Sequence, residues 1–442
     1  MRCWLSSGRG GPGAGGRSGR RSGRRFGGKA AASALAGAVA LAGLSSSASA
    51  VPEGSGTLPA LSGAEQAVSS AEQAFALELL HRLAPGLPNL VLSPSSVATL
   101  LAMVEPGAAG TTASGIAQAL RSGSMSPQQQ AQAWHLLNGT LARQAKHDHV
   151  ALDTADELWL QTGFPVRSTY LQILAGDFAA GVQEQDLAQD PAGSARAIDN
   201  WVASRTAGHI TNLLTPSELQ NVVAVLVDAV YMNAPWETPF DPSLTARGPF
   251  HISPGNSTKV PMMSASEPLY VPVSATSALD VAELPYKGED LSAVVLMPPL
   301  GQLGAFESRL SAAGLNRTVS GLARQRAQIK LPKFELKTSL RLNQVLSDMG
   351  MSQAFSREAN FSLLSPRPLQ LSFVVHDAQV NVSEKGTEAS AATGGGLAPT
   401  AMPAPPPVSI VFDHPFLFLV RDDSTGAIIF EAQVTDPTTA VG

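Results

Sequence analysis

Residues 384–407 read E-K-G-T-E-A-S-A-A-T-G-G-G-L-A-P-T-A-M-P-A-P-P-P, and the two halves of this stretch ask opposite things of the backbone. From Thr387 to Thr393 every residue except Glu388 is Ala, Ser or Thr, with no proline and no bulky side chain. Such a run needs little side-chain room, so it can slide between two existing strands and become a third. The second half carries Pro399, Pro403, Pro405, Pro406 and Pro407, which remove backbone donors and hold the chain extended, outside any sheet interior. On either side lie segments that read as buried strands, residues 371–382 and 408–420. Taken alone, the plainer reading is a flexible Ala/Gly linker followed by a stiff proline spacer. The rest of the chain decides between the two.

The chain has 442 residues, 44% of them apolar and 15% charged, enough to bury a large core. Nothing splits it after the N-terminus. One large domain over 65–437, or two fused halves, is expected, with a leader at 51–64 and a tail at 438–442. The first 50 residues stand apart: seven Arg and Lys29, no acid, a short apolar run over 30–44, then Ala48-Ser49-Ala50. This order predicts a secretory signal peptide cleaved after Ala50, and hence a protein secreted to the periplasm or the exterior; the apolar run is too short to span a membrane. Arg24-Arg25-Phe26 hints at twin-arginine export.

Removing that segment leaves 22 basic against 35 acidic residues, a formal charge of −13. The balance argues against nucleic acid or an anionic membrane as partner. Cys3, the one cysteine, leaves with the segment, so neither a disulfide nor a thiol nucleophile is expected and packing must carry stability. Arginine outnumbers lysine and alanine abounds, a composition that suggests a G+C-rich bacterial genome.

Helical spacing begins near Glu65 and stops at Pro85-Gly86. Residues 89–104 read as a short strand, Ser93-Pro94, and a helix apolar all round, which is the pattern of a buried helix. Residues 107–120 offer a turn and a small-residue helix, 157–160 a strand end, and 192–207 a helix bearing Trp201. Residues 222–232 are apolar on both faces apart from Asp228, as in a central strand. Two strands flank Tyr286-Lys287-Gly288, residues 328–336 alternate, 339–349 return to helical spacing, and 415–434 read as two strands around the turn 422–426. Helices dominate the first half and strands the second, an α+β pattern.

In this order the segments resemble the serpins, the serine protease inhibitor superfamily, from about residue 75 to 437. The resemblance rests on S-P-S-S-V-A-T-L-L-A-M at 93–103 with G-A-A-G-T-T after it, residues 226–236, V-P-M-M at 260–263, L-P-K-F-E-L at 331–336 and F-D-H-P-F-L-F-L-V at 412–420. Its most specific piece is the hinge E-K-G-T-E-A-S-A-A-T at its spacing before His414-Pro415-Phe416. It implies three β-sheets, about nine helices and an exposed reactive-centre loop over 384–407. It also implies a monomeric inhibitor without cofactor or metal, whose partner is a serine protease held in a covalent complex. The target's serine attacks a loop carbonyl, and the freed hinge inserts into the main sheet between 222–232 and 371–382.

The resemblance assigns a hinge to Glu384, Gly386, Thr387, Glu388, Ala389, Ser390, Ala391, Ala392 and Thr393, with Gly386 as the pivot. It places the scissile bond at Thr400–Ala401. The loop is longer than is usual in the family, which leaves Ala401–Met402 and Leu397–Ala398 open. Gly394, Gly395 and Gly396 depart from the family's fuller residues and weaken a strand, so slower insertion is expected. Ser93, Ser96 and His376 match a shutter under the main sheet. Asp228 stands there where the family usually has Asn. Trp236 matches the breach at the top of the sheet, with a plain core aromatic as the equal alternative. For Asp228 and His376 two arrangements are open: a charged imidazolium paired with the carboxylate, or a neutral ring with Asp228 bonded elsewhere. No G-x-S-x-G elbow, H-E-x-x-H or Cys/His metal spacing appears, so a hydrolase is not expected. The stronger rival is a non-inhibitory member, a binding protein cleaved as a plain substrate.

Overall fold

The computed structural model describes residues 63–123, 125–147, 150–178, 180–387 and 406–439. The segment expected to be a signal peptide, the leader up to residue 62, the expected hinge residues Glu388 to Thr393, the glycine triplet, all three candidate scissile bonds and residues 440–442 lie outside them.

The described residues build two large sheets with nine α-helical segments around them. The seven-stranded sheet consists of β1 (Ala151–Thr154), β2 (Glu157–Gln161), β3 (Val182–Gln185), β4 (Ala224–Pro235), β5 (Phe334–Arg341), β6 (Phe373–Ser383) and the two-residue β7 (Gly386–Thr387). Its order is β5-β6-β7-β4-β2-β3, with β1 also on β4 and with β6 and β4 paired directly beyond β7. Strand β4 is apolar on both faces because both are covered. Leu226, Val230, Met232 and Ala234 join the main core, while Val225, Val227 and Ala229 join a second cluster.

Three helices frame this sheet. Helix α1 (Pro94–Val104) starts on a proline, where no backbone donor is lost, and is buried along almost its whole length. Helix α2 (Pro127–His147) contacts both α1 and β1. Helix α3 (Pro191–Arg205), capped by Asp190 accepting from the Gly193 N–H, supplies Ile198 and Val202 to the second cluster.

The second sheet has ten strands, from Asn89–Leu92 at one edge to Ala246–Ser253 at the other. The second and third sheets expected from the resemblance are continuous through one strand. Ala323–Pro332 pairs with Leu269–Ala275 along its first half and with Asn256–Ser264 at its end. Val408–Val411, which follows the loop, adds to the same strand in parallel.

Three sequence expectations change. The strand expected over 408–420 is two, Val408–Val411 and Phe416–Asp422, because Pro415 donates nothing and His414 turns aside to the Pro298 carbonyl. The run over 328–336 divides at Lys333, whose N–H leaves to bond the Pro261 carbonyl. Residues 339–341 are strand, not helix, because eight consecutive pairs with β6 carry β5 on to Arg341.

Candidate functional site: the seam of the main sheet

Strands β4 and β6 run parallel and are directly paired from Val225–Phe373 up to Tyr231–Gln379. Above that point they part, and Gly386–Thr387 stands between them, antiparallel to both. Thr387 lies opposite Val382 on one side and Ala234 on the other; Gly386 lies opposite Ser383 and Pro235. Gly386 has φ 150°, and a Cβ there would come 2.1 Å from the Ala234 carbonyl oxygen, so only glycine fits. Thr387 is fully buried, with its hydroxyl 2.7 Å from the Tyr286 hydroxyl.

The turn before β7 is gripped by backbone and aromatic groups. Trp236 N–H donates to the Lys385 carbonyl, its indole N–H donates to the Ser383 carbonyl (3.0 Å), and Phe240 N–H donates to the Glu384 carbonyl. The Trp236 ring stacks on Tyr286 with centroids 4.7 Å apart. Burial alone would raise the Glu384 carboxyl. Lys333 at 2.8 Å and the Thr245 hydroxyl at 2.7 Å outweigh it and hold the group below the usual carboxylate range. Tyr286 and Lys333 were not singled out from the sequence. An aromatic partner for Trp236 in the quoted Tyr286-Lys287-Gly288 segment was the available clue.

Lower on the seam, His376 and Asp228 are direct partners across the parallel ladder and both are completely buried. His376 Nδ1 is 3.2 Å from Asp228 Oδ1, within ion-pair reach though not aligned as a hydrogen bond. The Ser93 N–H donates to His376 Nε2 at 3.1 Å, so Nε2 holds a lone pair and the imidazole is neutral in this arrangement. Of the two arrangements open from the sequence, the geometry carries the neutral ring. Ser93 Oγ donates to the Ile429 carbonyl and ties α1 to the second sheet.

The row of polar groups extends one residue further than the sequence singled out, to Asp156. Thr154 pairs with Val230, Ala155 exchanges backbone bonds with Ala229, and Glu157 pairs with Val227, which sets Asp156 opposite Asp228. Ser96 Oγ stands between them, 2.7 Å from Asp156 Oδ1 and 2.9 Å from Asp228 Oδ1. A hydroxyl has one proton to give, so one carboxyl must bring its own. Burial, then the Asp228 charge, push Asp156 well above the usual carboxylate range, so Asp156 carries that proton. The bonds then run in one direction, from Asp156 through Ser96 to Asp228, and the row crosses the seam to His376.

Among the described residues no group of three or more His, Cys, Asp or Glu could hold a metal, and no helix is long and apolar enough to cross a membrane. A family model described as serpin (serine protease inhibitor) matches residues 70–437. An uncharacterized serpin-like protein of Thermococcus kodakarensis is 32% identical over 368 residues, covering 82% of this chain and 84% of its own. Plasminogen activator inhibitor 2 of Homo sapiens is 31% identical, covering 82% of this chain and 98% of its own. The crystal structure of human thyroxine-binding globulin superposes with a TM-score of 0.74 at 26% identity, covering 85% of this chain and 100% of that one. The gapped sheet, its seated hinge and the family match over nearly the whole folded region lead to one conclusion: the chain belongs to the serpin family.

Proposed function

We propose that this serpin inhibits a serine protease as a suicide substrate. The observation that carries the reading is β7: the pivot Gly386 and the first residue of the small-residue run, Thr387, already occupy the top of the seam, paired on both sides. After attack at Thr400–Ala401 the hinge side is released from its anchor. Extending β7 downward replaces one parallel ladder by two antiparallel ones, exchanging each direct β4–β6 pair for pairs on both sides of the new strand. About fourteen inserted residues at about 3.3 Å each carry the tethered protease roughly 45 Å. Deformation at that distance stops deacylation, so the trap is kinetic.

The residues around the cut, Leu397, Ala398, Thr400, Ala401 and Met402, offer no cation to a trypsin-like pocket. Elastase-like or subtilisin-like targets follow. Secretion is part of the same reading, supported by the basic, apolar and Ala48-Ser49-Ala50 order of the N-terminal segment; a bacterial source is not supported by the relatives named above, which are archaeal and human. Incubation with elastase, subtilisin and trypsin should give an SDS-stable complex with the first two, and sequencing of the released peptide should begin at Ala401. Near-stoichiometric trypsin inhibition with elastase ignored would overturn the specificity. Cleavage without any complex would favour the second reading, a non-inhibitory carrier, for which the likeness to thyroxine-binding globulin speaks.

A further inference from the structure

At the C-terminal end of the helix Gly63–Leu83, where Pro85 and Gly86 turn the chain, lies a cavity of about 440 Å³, within the range of small-molecule sites. Its wall is shared by that helix, the short helix Leu303–Glu307 and strands of the second sheet, so it stands apart from the seam. Gly86, Gly301 and Gly304 line it, and a Cβ at any of them would meet nothing within 4 Å. Leu80, Leu87, Ile252, Leu303 and Pro415 make much of the remaining wall apolar.

One side chain of this wall is unmet. Glu307 is 5% exposed, its Oε1 is sealed from solvent, and no described residue donates to either of its carboxyl oxygens. No cation stands near enough to offset its burial. The donors around it are already committed, each to a backbone carbonyl. His81 Nε2 is 3.1 Å from the Leu310 carbonyl, Ser308 Oγ 3.1 Å from that of Ala305 and Gln433 Nε2 2.8 Å from that of Leu87. Thr435 Oγ1 bonds the Pro88 carbonyl. Glu431 is near enough to feel the Glu307 charge, but neither of its oxygens bonds to Glu307. A proton on Glu307 would cancel the charge and still leave one oxygen without a donor. A bare metal ion does not fit, because the described residues offer no cluster of three ligands. What the wall lacks is a charged donor with an apolar body behind it. We infer that the cavity is a binding site for a small organic cation, a primary ammonium on an apolar body. The ammonium donates to Glu307 in a charge-assisted hydrogen bond, and the body packs on Leu80, Leu87 and Leu303.

The test uses the full chain at pH 8, above the value of about 7 to which burial pushes Glu307. Three probes share one ring: benzylammonium, benzyl alcohol and benzoate. Calorimetry should show saturable binding of the ammonium, about tenfold tighter than the alcohol, and none of the carboxylate. In Glu307→Gln, which keeps the shape of the wall, the advantage of ammonium over alcohol should shrink to about onefold while the alcohol still binds. Gln433→Lys approaches the site from the other direction and keeps the inference open to refutation if Glu307→Gln fails to fold. It brings an ammonium to the same wall from the chain itself, so it should raise the melting temperature and weaken benzylammonium binding at least tenfold. Equal binding of ammonium and alcohol by the natural chain would overturn the inference. So would an ammonium preference that survives in either variant, or no saturable binding of the ammonium at all.

Discussion

Thr387 shows how much of the mechanism rests on single side chains. It is buried between Ala234 and Val382, and its hydroxyl meets Tyr286, itself stacked beneath Trp236. An arginine there would have to be desolvated inside the sheet, at a cost of several kcal/mol unless paired. Thr387→Arg should therefore expel β7 from the seam, leave loop cleavage intact and abolish the covalent complex. A variant that still formed the complex at the natural stoichiometry would remove the hinge assignment. The same scale shows what the sequence hides. Gly386 and Thr387 were legible because glycine and small residues announce a backbone need. Asp156 was not, although it precedes a recognised strand. Its role depends on Ser96 and Asp228, which are distant in sequence, and no local pattern records that helix α1 and strand β4 bring these groups beside it. For His376 the sequence left two arrangements open, and the choice between them rests on a backbone N–H of Ser93 that no local pattern predicts.

At the scale of the element, the ladder at β7 fixes the register of everything that follows it. Thr387 opposite Ala234 and Val382 sets Thr393, six residues on, opposite Asp228 and His376 once the hinge inserts. Odd-numbered hinge residues then share the main-core face with Asp228, so the Thr393 hydroxyl reaches the shutter as β4 and β6 separate. Gly394, Gly395 and Gly396 come opposite Val227, Leu226 and Val225. Each glycine in a strand interior costs about 0.5–1 kcal/mol relative to alanine, so the last part of insertion is weakly driven. Replacing the three glycines by alanine should speed insertion, lower the stoichiometry of inhibition toward one and raise the melting temperature of the cleaved form by a few degrees. If none of the three moved, insertion would have to end before residue 394. Elements with strong local patterns were legible from sequence: the buried helix α1, the two-faced strand β4 and the strands around Tyr286. The end of β5 was not, because pairing with β6 overrides the helical spacing of residues 339–341.

Across the whole molecule, the buried acids point to one pH response. Burial pushes Glu72 up to about 8 and Glu105, Glu157, Glu307 and Asp423 up to about 7. Glu431 is raised well above the usual carboxylate range by burial and by the charges of Glu72 and Glu307, and neither of its oxygens has a hydrogen-bond partner among the described residues. A carboxyl whose folded value lies above its unfolded one binds its proton more tightly in the fold. Its contribution is fully present below the unfolded value near 4.5 and is lost as pH rises through the folded value near 7 or 8. Glu384 and Glu218, whose carboxyls are held below the usual range, act in the opposite sense, and their contribution is lost only as pH falls below about 4.5. The native state should therefore be most stable near pH 5, with a melting temperature several degrees lower at pH 8 and faster spontaneous loop insertion there. Asp228→Asn removes the charge that helps push Asp156 up, so it should weaken the fall in stability toward pH 8. Glu431→Gln, which imitates the protonated acid, should flatten the limb between pH 5 and 8. Thermal unfolding of both variants beside the natural chain from pH 4 to 9 measures the effect. A profile that rises toward pH 8, or one that Glu431→Gln leaves unchanged, would show that these acids do not set the stability of the closed sheet.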